Sequence, residues 1–245
     1  MKNIIKIKFI KFNTSEKRDS YGLSKYISEE KRIKINRFKS DADYNRSLYA
    51  EIIIRRFFIE RFCLKNSKIN MRYDNLGKPY VQNFPDIHFS ISHSGNYIAV
   101  AFASEFIGID IEKLKDFDYK GIANRYFEGF EKDYIFEIGD KNISLKRFYE
   151  IWTVKESYTK FRGVGLTKGL NHFNIENFSN KNTFCIKDKN SNEKYLAKSY
   201  EMDKNHIFSI CSSDSDFDIV LEEVDISEIN RLYKKQKKKN SQAGL

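Results

Sequence analysis

The order of its apolar runs constrains this chain more than any other feature: a long helical stretch, then strand-like runs, then the same order again. Leu48, Ile52, Ile59 and Cys63 recur near helical spacing through 44–64, and Ser40-Asp41-Ala42-Asp43 ahead of them reads as a capped start. A shorter, polar, helix-prone segment covers 26–38, and Ile5, Ile7, Phe9 and Ile10, interrupted by Lys6, Lys8 and Lys11, read as an N-terminal strand. HFSIS (88–92), YIAVAFA (97–103) and FIGIDIE (106–112) have the length and β-branched content of strands, with a hairpin turn at His93-Ser94-Gly95-Asn96. A second helix, roughly 144–161, and short strands within 171–224 repeat the pattern. Asn96-Tyr97-Ile98 running to Ala103-Ser104 is echoed by Asn205-His206-Ile207 running to Ser212-Ser213. The expected fold is α+β, with two similar halves, 1–112 and 113–228, facing each other and a ligand held at the seam.

Charge decides between partners. The net charge is +10, but the last 15 residues hold six Lys and Arg and no acid, leaving the first 230 at only +4. The segment 229–245 therefore reads as a solvated, disordered basic tail on a nearly balanced body. A nucleic-acid binder would carry its charge in the fold and show a recognition motif, and none occurs. Cys63, Cys185 and Cys211 are odd in number and widely spaced, as for reduced thiols in a cytoplasm. No uninterrupted apolar stretch suggests a signal peptide or membrane span.

Two constellations carry chemistry. In Gly108-Ile109-Asp110-Ile111-Glu112, a period of two puts both isoleucines on one face and both carboxylates on the other. Such a pair suits either a solvated strand face or a hard cation such as Mg²⁺. On the second helix, Ile151, Val154, Tyr158 and Phe161 form one apolar stripe, and Leu145, Phe148, Tyr149 and Trp152 a second that continues into Lys155, Glu156 and Lys160. Glu156 and Lys160 are either a surface i,i+4 pair or the polar end of a covered face. Gly163-Val164-Gly165 ends the helix; no dinucleotide or P-loop pattern is present. Lys31, Lys34, Arg46-Ser47, Lys78-Pro79 and Ser92-His93 are scattered donors that only a shared polyanion would unite.

Taken in order, Gly77-Lys78-Pro79, Phe89-Ser90-Ile91-Ser92-His93-Ser94-Gly95, Gly108-Ile109-Asp110-Ile111-Glu112 and Trp152-x-x-Lys155-Glu156-Ser157-x-x-Lys160 with Gly163-x-Gly165-Leu166 closely resemble the signature of the surfactin-type phosphopantetheinyl transferases. The likeness covers about 26–170. It implies the 4′-phosphopantetheinyl transferase fold, two α+β halves related by a pseudo-twofold axis with coenzyme A between them. It also implies transfer of the phosphopantetheine arm of coenzyme A to a serine of an apo acyl or peptidyl carrier protein, and two halves in one chain make a monomer self-sufficient. By that resemblance Asp110, Glu112 and Glu156 hold Mg²⁺, or Mn²⁺. Glu156 is the general base, Lys160 steadies the leaving phosphate, and Lys155 is a weaker assistant. Lys31, Lys34, Ser47 and His93 would grip the 3′-phosphate, Ser92 would meet the diphosphate, and Lys78 and Pro79 would border the adenine. Arg125, Tyr126, Phe127 and Phe130 would face the carrier.

Overall fold

The computed structural model describes residues 3–233 except 76, 164–169, 171, 181, 192, 215 and 230. The motif residues Gly165 and Leu166, and 234–245 of the expected tail, lie outside them; the start of that tail is corrected, because Ile229 and Tyr233 are buried in the first core rather than solvated.

Both long helices form where local sequence starts and stops them. Helix α1 (Glu29–Ile35) is capped by Ser28, whose hydroxyl accepts the Lys31 N–H, and is shorter than its polar segment suggests. Helix α2 (Asp41–Phe62) is capped by Ser40 and stops at Cys63, which adopts φ +53° and is exposed rather than joining the apolar stripe. The second long helix, numbered α5 in chain order (Lys141–Arg162), has the same 22-residue length, an Asp140 cap and a left-handed Gly163 stop. Between them α3 (Tyr119–Tyr126) and α4 (Phe130–Phe136) are short.

The strands are β1 (Asn3–Lys11), β2 (Met71–Tyr73), β3 (Pro79–Val81), β4 (His88–Ser94), β5 (Tyr97–Ala103), β6 (Ile107–Lys113), β7 (Phe173–Asn180), β8 (Thr183–Asp188), β9 (Lys194–Asp203), β10 (His206–Ser212) and β11 (Phe217–Glu223). One sheet runs β11-β1-β5-β4 and the other β6-β10-β9-β8-β7; β2 and β3 form a separate hairpin. The hairpin turn between β4 and β5 is as expected, with Gly95 at φ +57°. Sequence order does not decide sheet membership. Strand β6, grouped with the first half by a division at 112, pairs antiparallel with β10, while β11 from the second half pairs parallel with β1.

Side-chain alternation makes four layers. Ile98, Val100 and Phe102 of β5 pack on α2, while Tyr97, Ala99 and Ala101 face the other sheet. That is why β5 is apolar on both sides. Ile107, Ile109 and Ile111 of β6 meet Ile5 and Ile7 of β1 between the sheets, and α5 covers the far face of the second sheet. Each fully buried isoleucine there contributes ~2 kcal/mol. The pseudo-twofold is visible in matched contacts: the Phe12 N–H donates to Asn96 O at 3.0 Å and the Leu114 N–H to Asn205 O at 2.8 Å. The two strands that echo each other in sequence are β5 and β10, whose Tyr97 and His206 rings meet edge to face at 4.7 Å.

Candidate active site

The site forms where α5 crosses β6. Gly108 lets it do so: a Cβ there would lie 1.9 Å from Ser157 O and 2.5 Å from Phe161 N, both backbone atoms of α5. With the helix pressed on that rung, the two carboxylates further along the same face of β6 come beside Glu156 and Lys160, which flank Ser157. Lys160 Nζ donates to Asp110 Oδ1 at 2.8 Å, to Ser92 Oγ at 2.9 Å and to Ile91 O at 3.3 Å. The predicted two-faced strand is therefore real, and its polar face is covered by helix.

The second sheet also meets the first along this line, at the edge strands β4 and β6. Ser90, Ser92 and Ser94 of β4 accept the N–H groups of Ile109, Ile111 and Lys113 at 3.1, 3.2 and 3.0 Å. Ser92 donates to Asp110 Oδ1 at 2.9 Å and Ser94 to Glu112 Oε2 at 2.7 Å. Sequence reasoning took Ser92 alone from this set. The signal for Ser90 and Ser94 was present, as serine at every second position of β4.

Electrostatically the cluster is crowded with negative charge. Burial, with the charges of Asp110 and Glu112, pushes the Glu156 carboxyl up to about 7, against the pull of Lys160. Burial likewise raises Glu112, with Asp110 adding and Ser94 opposing. Two buried oxygens, Asp110 Oδ2 and Glu156 Oε1, have no hydrogen-bond partner. Among the described residues no three acidic, histidine or cysteine side chains are gathered into a formed metal cage. Yet acceptor-only oxygens left bare in a group of three carboxylates are the donor set a hard cation takes.

A cleft of about 330 Å³ opens beside the cluster, between the halves. Lys78, Pro79, Phe89, Ser90 and Ile91 line one wall, and Glu156, Thr159, Lys160 and Gly163 the other. Lys78 Nζ donates to Lys160 O at 3.4 Å, and burial lowers its pKa. Of the predicted phosphate residues, Lys31, Lys34, Ser47, Ser92 and His93 do not line this cleft. Lys31 is half-buried on α1, where burial lowers its pKa while Glu51 of α2 opposes, and Lys34 stands 5.1 Å over the Tyr73 ring. Ser47 is half-buried one turn before Glu51 on α2. His93 has an exposed ring, although the surrounding protein and then Arg46 and Lys160 push its pKa down. Tyr73 pairs with Pro79 across the β2–β3 hairpin, so Lys34 over Tyr73 lies toward the cleft wall that Pro79 lines, while His93 feels Arg46 and Lys160.

Lys155 is corrected. Its side chain is 1% exposed, and its ammonium bonds Glu131 Oε1 at 2.6 Å and Phe173 O at 3.4 Å, on a different side of α5 from the cleft. One residue along a helix turns the side chain by about 100°, so a neighbour of Glu156 faces elsewhere. Glu131 also accepts the Ile175 N–H at 2.8 Å, tying α4, α5 and β7 together. Lys155→Met leaves Glu131 buried without its cation, while the Ile175 bond remains; the expected cost is ~3 kcal/mol, at the low end for broken buried pairs. Thermal unfolding checks it, and an unchanged melting temperature would show that the pair does not brace α5. The aromatic face after Glu112 is also revised: Arg125 is exposed over Tyr126, but Phe127 is buried in the second core.

The comparisons agree with this geometry. The family model described as "4'-phosphopantetheinyl transferase, N-terminal" matches residues 10–105, and that of the "4'-phosphopantetheinyl transferase superfamily" matches 106–211, meeting where the chain passes from β5 to β6. The chain is 34% identical over 192 residues to 4′-phosphopantetheinyl transferase Sfp of Bacillus subtilis, covering 78% of this chain and 84% of that protein. To 4′-phosphopantetheinyl transferase gsp of Aneurinibacillus migulanus it is 35% identical over 191 residues, 78% of each. A rat L-aminoadipate-semialdehyde dehydrogenase-phosphopantetheinyl transferase shares 27% over 205 residues, 75% of this chain and 66% of that one. With the seam cleft, the acidic strand face and the Glu156–Lys160 helix already in place, these likenesses over most of its length mean that the chain belongs to the 4′-phosphopantetheinyl transferase superfamily, on its surfactin-type branch.

Proposed function

We propose that the protein transfers the phosphopantetheine arm of coenzyme A to a serine of an apo carrier protein, with Mg²⁺, releasing adenosine 3′,5′-bisphosphate. The observation that carries this reading is the group of three carboxylates and one lysine, with Asp110 Oδ2 and Glu156 Oε1 bare, at the edge of the seam cleft. Asp110, Glu112 and Glu156 would hold the cation, which when bound neutralises charge on the diphosphate.

The acceptor serine oxygen forms a new bond to the phosphorus that carries the pantetheine arm. The bond from that phosphorus to the bridging oxygen breaks, and its electron pair leaves with the adenosine bisphosphate. Glu156 takes the serine proton: without the cation its carboxyl is raised to about 7, and beside a bound cation it would be lowered and stay ionised, ready to accept the proton on its free oxygen. Lys160 stands between Asp110 and the cleft, within reach of the negative charge that develops on the leaving group. Lys78 lines the same cleft, and beyond it Lys31, Lys34 and His93 would meet the nucleotide's own phosphate. Glu112 also lines a groove of about 200 Å³, with Lys113, Lys115, Phe117, Ile122 and Trp152. Its basic rim and apolar floor suit an acidic helical carrier presenting its serine.

Purified protein incubated with coenzyme A, Mg²⁺ and a panel of apo carriers should add one phosphopantetheine mass to at least one carrier, and none after chelation. Intact mass spectrometry reads both. Transfer that survives chelation would remove the cation, and coenzyme A binding without any transfer would remove the tested carriers.

A further inference from the structure

The three serines of β4 join two sheets at edges that do not pair backbone to backbone. Each hydroxyl oxygen accepts an N–H of β6, from Ile109, Ile111 and Lys113 in turn. A hydroxyl has a single proton, and once its oxygen is anchored by a fixed N–H, that proton points away from the strand. At Ser94 it points to Glu112 Oε2, 2.7 Å away, and at Ser92 to Asp110 Oδ1, which it shares with Lys160. At Ser90 the corresponding residue of β6 is Gly108, so that rung faces no carboxylate. The ladder therefore has two rungs that grip acids and one that only joins strands.

We infer that Ser94 is a positioning residue for the cation site: a backbone-anchored hydroxyl that fixes one Glu112 oxygen and directs the other to the metal. This rests on the proposed cation site. Glu112 sits near the end of β6, where a glutamate has three side-chain torsions and the covering helix restrains it less than Asp110, which is deeper and held from two sides. Ser94 takes the place of that missing restraint. Hydrogen-bond partners of metal-binding carboxylates commonly change affinity 10- to 100-fold when removed.

The test is direct binding of Mn²⁺, as a spectroscopic probe, to the full-length protein with coenzyme A present, read from the free Mn²⁺ signal during titration. Ser94→Ala should bind at least ~10-fold more weakly than wild type. Ser94→Thr, which keeps the hydroxyl, should bind within about 2-fold, and Ser94→Cys, a weak donor of similar size, should fall between. Lys8→Met, on β1 away from the cleft, breaks the pairs that buried Lys8 makes with Glu60 and Glu222, so its melting temperature should drop while its Mn²⁺ affinity stays at the wild-type level. Wild-type affinity in Ser94→Ala, or equal weakening in Lys8→Met, would overturn the inference and leave the cation site standing. A wild-type protein that binds no Mn²⁺ would overturn both. Should Ser94→Ala fail to fold, the cysteine and threonine variants decide alone, equal affinity in the two counting against the inference.

Discussion

Replacing Glu156 by glutamine should lower the transfer rate by about 10³-fold while making the protein, held in chelator above pH 7, more stable. On the proposed reading the first effect follows from losing both a proton acceptor and a cation ligand, general bases alone contributing roughly 10²- to 10⁴-fold. The second follows from the sign of the pKa shift. Glu156 is raised to about 7 in the folded state, first by burial and then by Asp110 and Glu112. Its ordinary value in an unfolded chain is lower, about 4.3, so between these values the folded state binds the extra proton. Stability therefore falls as pH rises through that window, by on the order of 2–3 kcal/mol, and stays lower at pH 8. Glutamine is neutral throughout and escapes the fall. At roughly 2–4 °C per kcal/mol for a chain of this size, the variant should melt several degrees higher at pH 8 and near wild type at pH 5. Wild-type turnover would take the base role from Glu156, and equal melting at both pH values would show that its charge is not strained.

Gly108→Ala should be the most damaging small substitution in the fold. An added methyl elsewhere in a packed core costs ~1–3 kcal/mol because neighbouring side chains yield. Here the obstacles are Ser157 O at 1.9 Å and Phe161 N at 2.5 Å, which belong to helix backbone and cannot rotate aside. Helix α5 must lift off β6 by more than an ångström, taking Glu156 and Lys160 away from Asp110. A displacement of about 1 Å at reacting groups is worth ~10²-fold in rate. The expected result is a loss of stability beyond that ordinary range and, in whatever folds, activity reduced at least 100-fold. Circular dichroism melts and the carrier mass assay read the two. A variant with wild-type activity would mean that α5 does not rest on Gly108, and so that the glycine of this motif has no packing role.

Much of the site was legible because strand and helix periods act locally. Alternation alone put Asp110 and Glu112 on one face with Ile109 and Ile111 on the other, and the latter are buried. Ser40 marks a helix start by offering an oxygen to free N–H groups, a requirement of any helix end, whereas the Asp140 cap, ahead of the expected start near 144, was not read. Lys155 was not legible. Its partner Glu131 lies 24 positions away, and only the docking of α4 brings them together. Lys31, Lys34 and His93 were read from likeness to a family, and the structure sets them outside the cleft that Lys78 and Lys160 line.

The sequence by itself determined the two long helices, the first strand, β4 to β6, which of their faces are apolar, the Ser40 cap and that the chain repeats an α+β order, but not α3, α4 or the β2–β3 hairpin. Tertiary structure alone decided that β6 leaves its sequence neighbours to pair with β10, that β11 returns to β1, and that the serines of β4 reach the carboxylates of β6. The physical reason is that periodicity states which side of a strand must be covered and is silent on what covers it. That choice is made by packing across the whole chain, here by a glycine small enough to let one helix backbone rest on one strand.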